Sequence, residues 1–152
     1  MSVPVFAENA AAGLIHDYRD KIATINSING RFLTMLRANP SAENLPEDGH
    51  QLSVSADGEV SVTAFGFAAF ATPRLVRADE SILMEYVFTV SNGEDAVEVL
   101  RFYVTANGIV ASTPARDQHI GQIDGPPVVG YILTEIALKV LDGVLFSPRA
   151  SA

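Results

Sequence analysis

Cysteine and tryptophan are absent from the 152 residues, and only ten lysines and arginines stand against eighteen acids. Without a thiol there is no disulfide framework, thiolate metal site or cysteine nucleophile. That composition fits a reducing compartment, and the cytoplasm is the expected location. A net charge of −8 works against phosphate-backbone binding, which depends on Lys and Arg displacing counterions, so direct nucleic-acid binding is not expected. Charge-free runs such as the one between Glu59 and Arg74 fall short of the ~20 apolar residues a spanning helix needs. The opening MSVPVFAENAAAG lacks the basic start and long apolar core of a secretory leader, so neither leader nor membrane is expected. GxSxG, HExxH, P-loop, GxGxxG and calcium-loop patterns are missing as well, which lowers the odds of the commonest hydrolases and nucleotide enzymes.

What remains is a chain 18% charged and 48% hydrophobic, greasier than the ~25% charged average of globular domains. Residues 1–40 hold three acids and four bases, 41–100 eleven and two, and 101–152 four and four. The middle of the chain therefore carries the whole excess of negative charge. One domain is the natural reading of this length.

Three small-acid/amide-glycine triplets punctuate the chain: Ala56-Asp57-Gly58, Ser91-Asn92-Gly93 and Ala106-Asn107-Gly108. Around the first, Leu52, Val54, Val60 and Val62 are apolar while Ser53, Ser55, Ser61 and Thr63 are polar, the period of half-buried strands. A three-residue loop pairs Val54 with Val60 and Leu52 with Val62, keeping like faces together, and predicts a type I turn with Gly58 left-handed. Across the second triplet, Ile82, Met84, Tyr86, Phe88 and Val90 face Leu100, Phe102 and Val104, with Glu98 interrupting; across the third, Val104 meets Val110. Each triplet is read as closing one hairpin of an antiparallel meander. Between the first two, a strand from Glu59 to about Ala71 is expected to bend at Pro73 and continue to Arg77.

The prediction is an α+β fold. An N-terminal helix spans 8–38, a five- to six-stranded antiparallel meander 50–113, a loop 114–126, and a C-terminal helix packed on one sheet face 127–145. In the first helix Ile15, Tyr18, Ile22, Ile25, Phe32 and Leu36 recur at three- and four-residue steps, with Asn29 filling the missing step. A helix of that length outruns its sheet, so either it breaks at Asn29-Gly30 or its overhang meets a second molecule. The second helix follows Asp124-Gly125-Pro126-Pro127 and, with a thin polar face, is expected to be deeply buried.

The odd-numbered sheet face carries Phe65, Phe67, Leu83, Val87, Val97, Val99 and Tyr103. Leaving these in water would forfeit several kcal/mol at ~25 cal/mol per Å², and they are the expected interface of a homodimer. Of three histidines, His119 stands out. Arg116, Asp117 and His119, with Asp124, lie on a long connector and are the candidate anion clamp and acid-base pair. Small residues in FGFAAFA either admit a close helix or leave a hollow lined by Phe70, Tyr86, Phe88 and Phe102. No metal site and no cofactor is expected; His16 and Asp20, one helical turn apart, are too few ligands.

The leading expectation is a non-enzymatic, acidic protein-interaction module, adaptor- or chaperone-like, acting as a homodimer on a protein partner. In size and acidity it resembles secretion chaperones as a class, although strand order and helix placement differ and no residue role carries over. The alternatives are a ligand-binding or catalytic domain with the Arg116–His119 loop at the mouth of an apolar cavity, and an acidic decoy of a nucleic-acid-binding protein.

Overall fold

A computed structural model describes residues 5–42, 45, 49–92, 95–115 and 118–144. Helix α1 runs unbroken over Val5–Ala38, so Asn29-Gly30 does not interrupt it. The helix stops where proline forbids its continuation: Pro40 follows Asn39, disfavouring helical geometry at the residue before it. The Asn39 side chain donates to the Met35 carbonyl at 2.9 Å, satisfying one of the acceptors a helix end leaves free.

Among the described residues, eight strands then form one antiparallel sheet: β1 (His50–Val54), β2 (Val60–Ala64), β3 (Phe67–Ala71), β4 (Arg74–Ala78), β5 (Ser81–Asn92), β6 (Asp95–Val104), β7 (Ile109–Ala111) and β8 (His119–Gln122). The sheet exceeds the five to six strands expected, yet the plan is still a meander, ordered β1-β2-β3-β5-β6-β7-β8 with β4 also on β5. The first hairpin pairs Val54 with Val60 and Leu52 with Val62. Gly58 has φ 87° and donates to Ser55 O at 3.1 Å. The third pairs Val104 with Val110, with Gly108 at φ 77°. In both, glycine takes the left-handed corner that a side chain resists.

Two departures from strict alternation change the sheet, and the first adds a strand. The single strand expected from Glu59 to Ala71 is a hairpin, with Ala64 opposite Phe67 and Phe65-Gly66 as a two-residue loop. Both loop residues have positive φ, 51° and 81°, as a type I′ turn requires. A two-residue loop exchanges parity, so Phe67, Ala69 and Ala71 share the inner face with Ala64, Val62 and Val60 while Phe70 turns outward. The second departure lies in β6, where the register shifts between Phe88 and Thr89: Phe88 faces Leu100, but Thr89 faces Glu98. Val99 is the extra residue of a bulge. Glu98 thus moves to the outer face and Val97 meets Val90, which explains the interruption in the even-numbered pattern. The second triplet also closes differently, because Asn92 pairs with Asp95 and Ser91 stays in the ladder; Gly93 and Glu94 lie outside the described residues.

Pro73 marks the kink between β3 and β4, and both lie antiparallel to the same edge of β5. Strand β8 occupies part of the expected 114–126 loop. Its residue Gly121 sits where a Cβ would come within 2.8 Å of Val128 Cγ2. Only glycine lets β8 cross the next helix that closely.

Helix α2 covers Pro127–Lys139 and passes into a π turn at Val140–Val144, with proline in its first turn as expected. Val128, Val129, Ile132, Leu133 and Ile136 are buried. The helix packs on β1, β2, β6 and β8 together, while α1 packs on β1 and β5. Because α2 touches both ends of the strand order, the sheet curls around it. The centre of the core is Phe32 of α1 set edge-on to Tyr86 (5.5 Å) and Phe102 (6.0 Å), with Tyr86 stacked on Phe102 at 4.9 Å. Each such ring contributes roughly 1.5–3 kcal/mol by leaving water. The far end of α2 is less covered than its composition suggests, with Leu138 and Leu141 49% and 56% exposed. Among the described residues, no helix is long and apolar enough to cross a membrane.

Candidate functional site

The candidate catalytic residues fall on either side of the limit of the described structure. Arg116 and Asp117 lie outside them. His119 opens β8 opposite Ala111 and is exposed. Asp124 turns the other way, accepting a 2.8 Å hydrogen bond from Arg31 of α1. The extra hairpin also reverses the chain once more, so the Asp57 turn and the paired Asn92 and Asp95 lie at opposite ends of the sheet. Of the four residues expected to line a hollow, Tyr86, Phe88 and Phe102 are fully buried and packed on one another. Phe70 is 47% exposed on the opposite face and lines nothing with them.

The greasy outer face is largely dismantled by the same parity changes. Phe67 packs inward on the core and Val99 belongs to it; Val97 shares the side of buried Val90. Leu83 and Tyr103 are already buried at 1% and 5% exposure, and Val87 is half-buried. Phe65 sits in its turn, edge-on to His50 at 4.6 Å. What occupies the outer face instead is an ion ladder. Arg74 Nε donates to Glu85 Oε1 at 2.8 Å, Arg101 Nη1 lies 3.4 Å from Glu85 Oε2, and Arg101 also holds Glu98. Burial works to raise the Glu85 carboxyl, but the Arg74 and Tyr103 hydrogen bonds and the two arginine charges outweigh it and hold the group below the ordinary carboxylate range. The hydrogen bond to Glu98, then that to Tyr103 and the Glu98 and Glu85 charges, push the Arg101 guanidinium further up. With its charges matched, this face is internally satisfied.

Three strand edges are blunted too. The Leu52 N–H of β1 donates outward to Pro40 O at 2.8 Å, β8 is only four residues long, and β4 follows Pro73 and carries Arg74 and Arg77. Proline, charge and shortness are the usual guards against strand addition.

Helix α1 is different. Its inward stripe of Ile25, Asn29, Phe32 and Leu36 is buried. Asn29, the apparent flaw in the heptad, accepts a hydrogen bond from the Tyr86 hydroxyl inside the core. N-terminal to Ile25 the helix loses its place in the core. From Ala12 to Thr24 no residue is buried, and Leu14 and Ile15 are 55% and 67% exposed. Among the described residues, a clamp ties this arm to the body. Lys21 Nζ donates to Glu80 O at 2.8 Å, while Lys21 and Arg77 both lie about 5 Å from the Tyr18 ring centroid. An open groove of about 610 Å³ runs along the other half of α1, lined by Ser27, Gly30, Arg31, Thr34, Ala38 and Asp124 among others. Among the described residues, no three His, Asp or Glu side chains converge as metal ligands.

Compared with known proteins by family model, by sequence and by fold, the chain shows no match.

Proposed function

We propose that this chain is a non-enzymatic protein-interaction module, adaptor- or chaperone-like and cytoplasmic, which associates as a homodimer through the N-terminal arm of α1. One observation carries the reading: α1 begins at Val5, and over the thirteen residues from Ala12 to Thr24 none of its side chains is buried. That is ~20 Å of helix. Helical stability in proteins comes mainly from packing an apolar face, and an isolated segment of this size is marginal in water. Leu14 and Ile15 extend the stripe that Ile25 and Phe32 bury further on, so the arm presents an apolar face ready for a second helix. The satisfied outer sheet face and guarded edges favour this element over the sheet.

Sedimentation equilibrium of the full chain tests the reading, beside a Leu14→Glu/Ile15→Glu variant. The expected result is a dimer at micromolar concentration that the variant converts to monomer, with its far-UV circular dichroism retaining the body. A monomeric wild type, or a dimer indifferent to the variant, removes the arm from the account.

A further inference from the structure

The triplet Ala106-Asn107-Gly108 does more than turn a corner. Asn107 is exposed, and Gly108 presents no Cβ beside it and holds φ 77°. Asn107 also lines a pocket of about 340 Å³ shared with Lys21 and Glu80, the residues that clamp the arm of α1 to the β4–β5 hairpin. We infer that Asn107-Gly108 is a site of spontaneous deamidation, whose product sets a carboxylate into the pocket that holds Lys21.

The chemistry needs only water. The Gly108 backbone nitrogen attacks Cγ of the Asn107 amide, the C–N bond to the side-chain nitrogen breaks, and ammonia leaves with the proton given up by the Gly108 amide. Water then opens the cyclic imide at either carbonyl, giving aspartate or isoaspartate. Asparagine is among the thermally labile residues, and a glycine on its C-terminal side puts no side chain in the way of the attack. One restraint must open first, because the Gly108 N–H donates to Thr105 O at 3.0 Å. It lies in a surface turn, where local opening is easiest.

The chain carries its own control. Asn29-Gly30 is the same dipeptide, but it lies within a continuous helix and the Asn29 amide is tied to the buried Tyr86 hydroxyl. The new carboxylate would strengthen the hold on Lys21, which already meets Asp17 at 3.1 Å and the Glu80 carbonyl. The arm is thereby fixed more firmly to the body. This consequence alone rests on the arm being the docking element.

The full chain is incubated at mildly alkaline pH and sampled by peptide mapping. The expected result is a mass gain of one ammonia-for-water exchange at Asn107, accumulating at least an order of magnitude faster than at Asn29, and absent from an Asn107→Ser variant. Equal rates at the two positions overturn the site. Separately, Asn107→Asp is expected to slow amide hydrogen exchange across residues 18–24, an effect lost at high salt and in the Lys21→Met background. Unchanged or faster exchange overturns the link to the clamp while leaving the dimer test untouched.

Discussion

The pair formed by Asn29 and Tyr86 offers a measurable case of a polar contact that matters because it is buried. Tyr86 is fully buried and Asn29 is 8% exposed, with the Phe32 and Phe102 rings against the phenol. Replacing Tyr86 by Phe strands the Asn29 carbonyl; replacing Asn29 by Leu strands the hydroxyl. Leaving one buried partner unsatisfied costs about 1–3 kcal/mol, whereas removing both with apolar groups of similar shape is close to neutral. Each single variant should therefore lose ~2 kcal/mol, a drop in Tm of roughly 4–8 °C for a chain of this size, while Asn29→Leu/Tyr86→Phe recovers most of it. The assay is urea unfolding followed by far-UV circular dichroism, analysed as a double-mutant cycle. Burial pushes the Tyr86 hydroxyl well above the usual phenol range, with the Asn29 amide working the other way. The unfolded chain then ionises first, so wild-type stability falls as pH rises beyond about 10. Tyr86→Phe has no such loss, and the two proteins should converge in alkali. A double variant as unstable as the two singles added together would refute the reasoning.

Other expectations follow from single features. Neither ring nitrogen of His50 has a hydrogen-bond partner among the described residues, although the side chain is 94% buried; His50→Leu should be neutral or stabilising by up to about 1 kcal/mol in thermal melts, and a larger loss would mean that the imidazole is held by a polar partner. Gly121→Ala should destabilise by roughly 1–3 kcal/mol through overpacking against Val128, and an unchanged urea midpoint would show that β8 can lift off α2. Glu85 is held low, so it stabilises the fold above its unfolded value near 4.3 and loses that contribution as pH falls. Glu85→Gln should cost about 1 kcal/mol at neutral pH, the Arg74 side chain being 71% exposed and screened, and the variant should match wild type in acid.

Alternation and turn chemistry made much of the fold legible in the sequence. The Asp57-Gly58 and Asn107-Gly108 corners announced themselves because asparagine or aspartate before glycine has a local reason to turn. The Phe65-Gly66 corner did not, since a phenylalanine at positive φ has no propensity to betray it and is held by its surroundings. Gly66 was the one available signal, and two-residue loops permit it. The Val99 bulge was visible only as its consequence, Glu98 out of phase, and β8 was hidden because its four residues include one strong strand former, Ile120. Asn29, inside the unbroken α1, is satisfied by Tyr86, fifty-seven residues away, and no local reading of the helix contains that partner.

These missed parity changes also relocate the candidate interface. Seven odd-numbered residues looked like one apolar face because a single phase was carried through Phe65 to Tyr103. One two-residue turn and one bulge each invert the phase. Phe67 and Val99 thereby enter the core, Val97 joins the side of Val90, and the vacated face carries Arg74, Glu85, Arg101 and Glu98 in matched pairs. A face whose charges are already satisfied by direct bonds gains little by burial against a partner, because desolvating those ions would offset the contact. Helix α1 has no such internal answer for Leu14 and Ile15. Sheet and helix therefore make opposite predictions for charge insertion: a substitution such as Val87→Lys, beside the ion ladder, should leave association intact, whereas Ile15→Glu should abolish it.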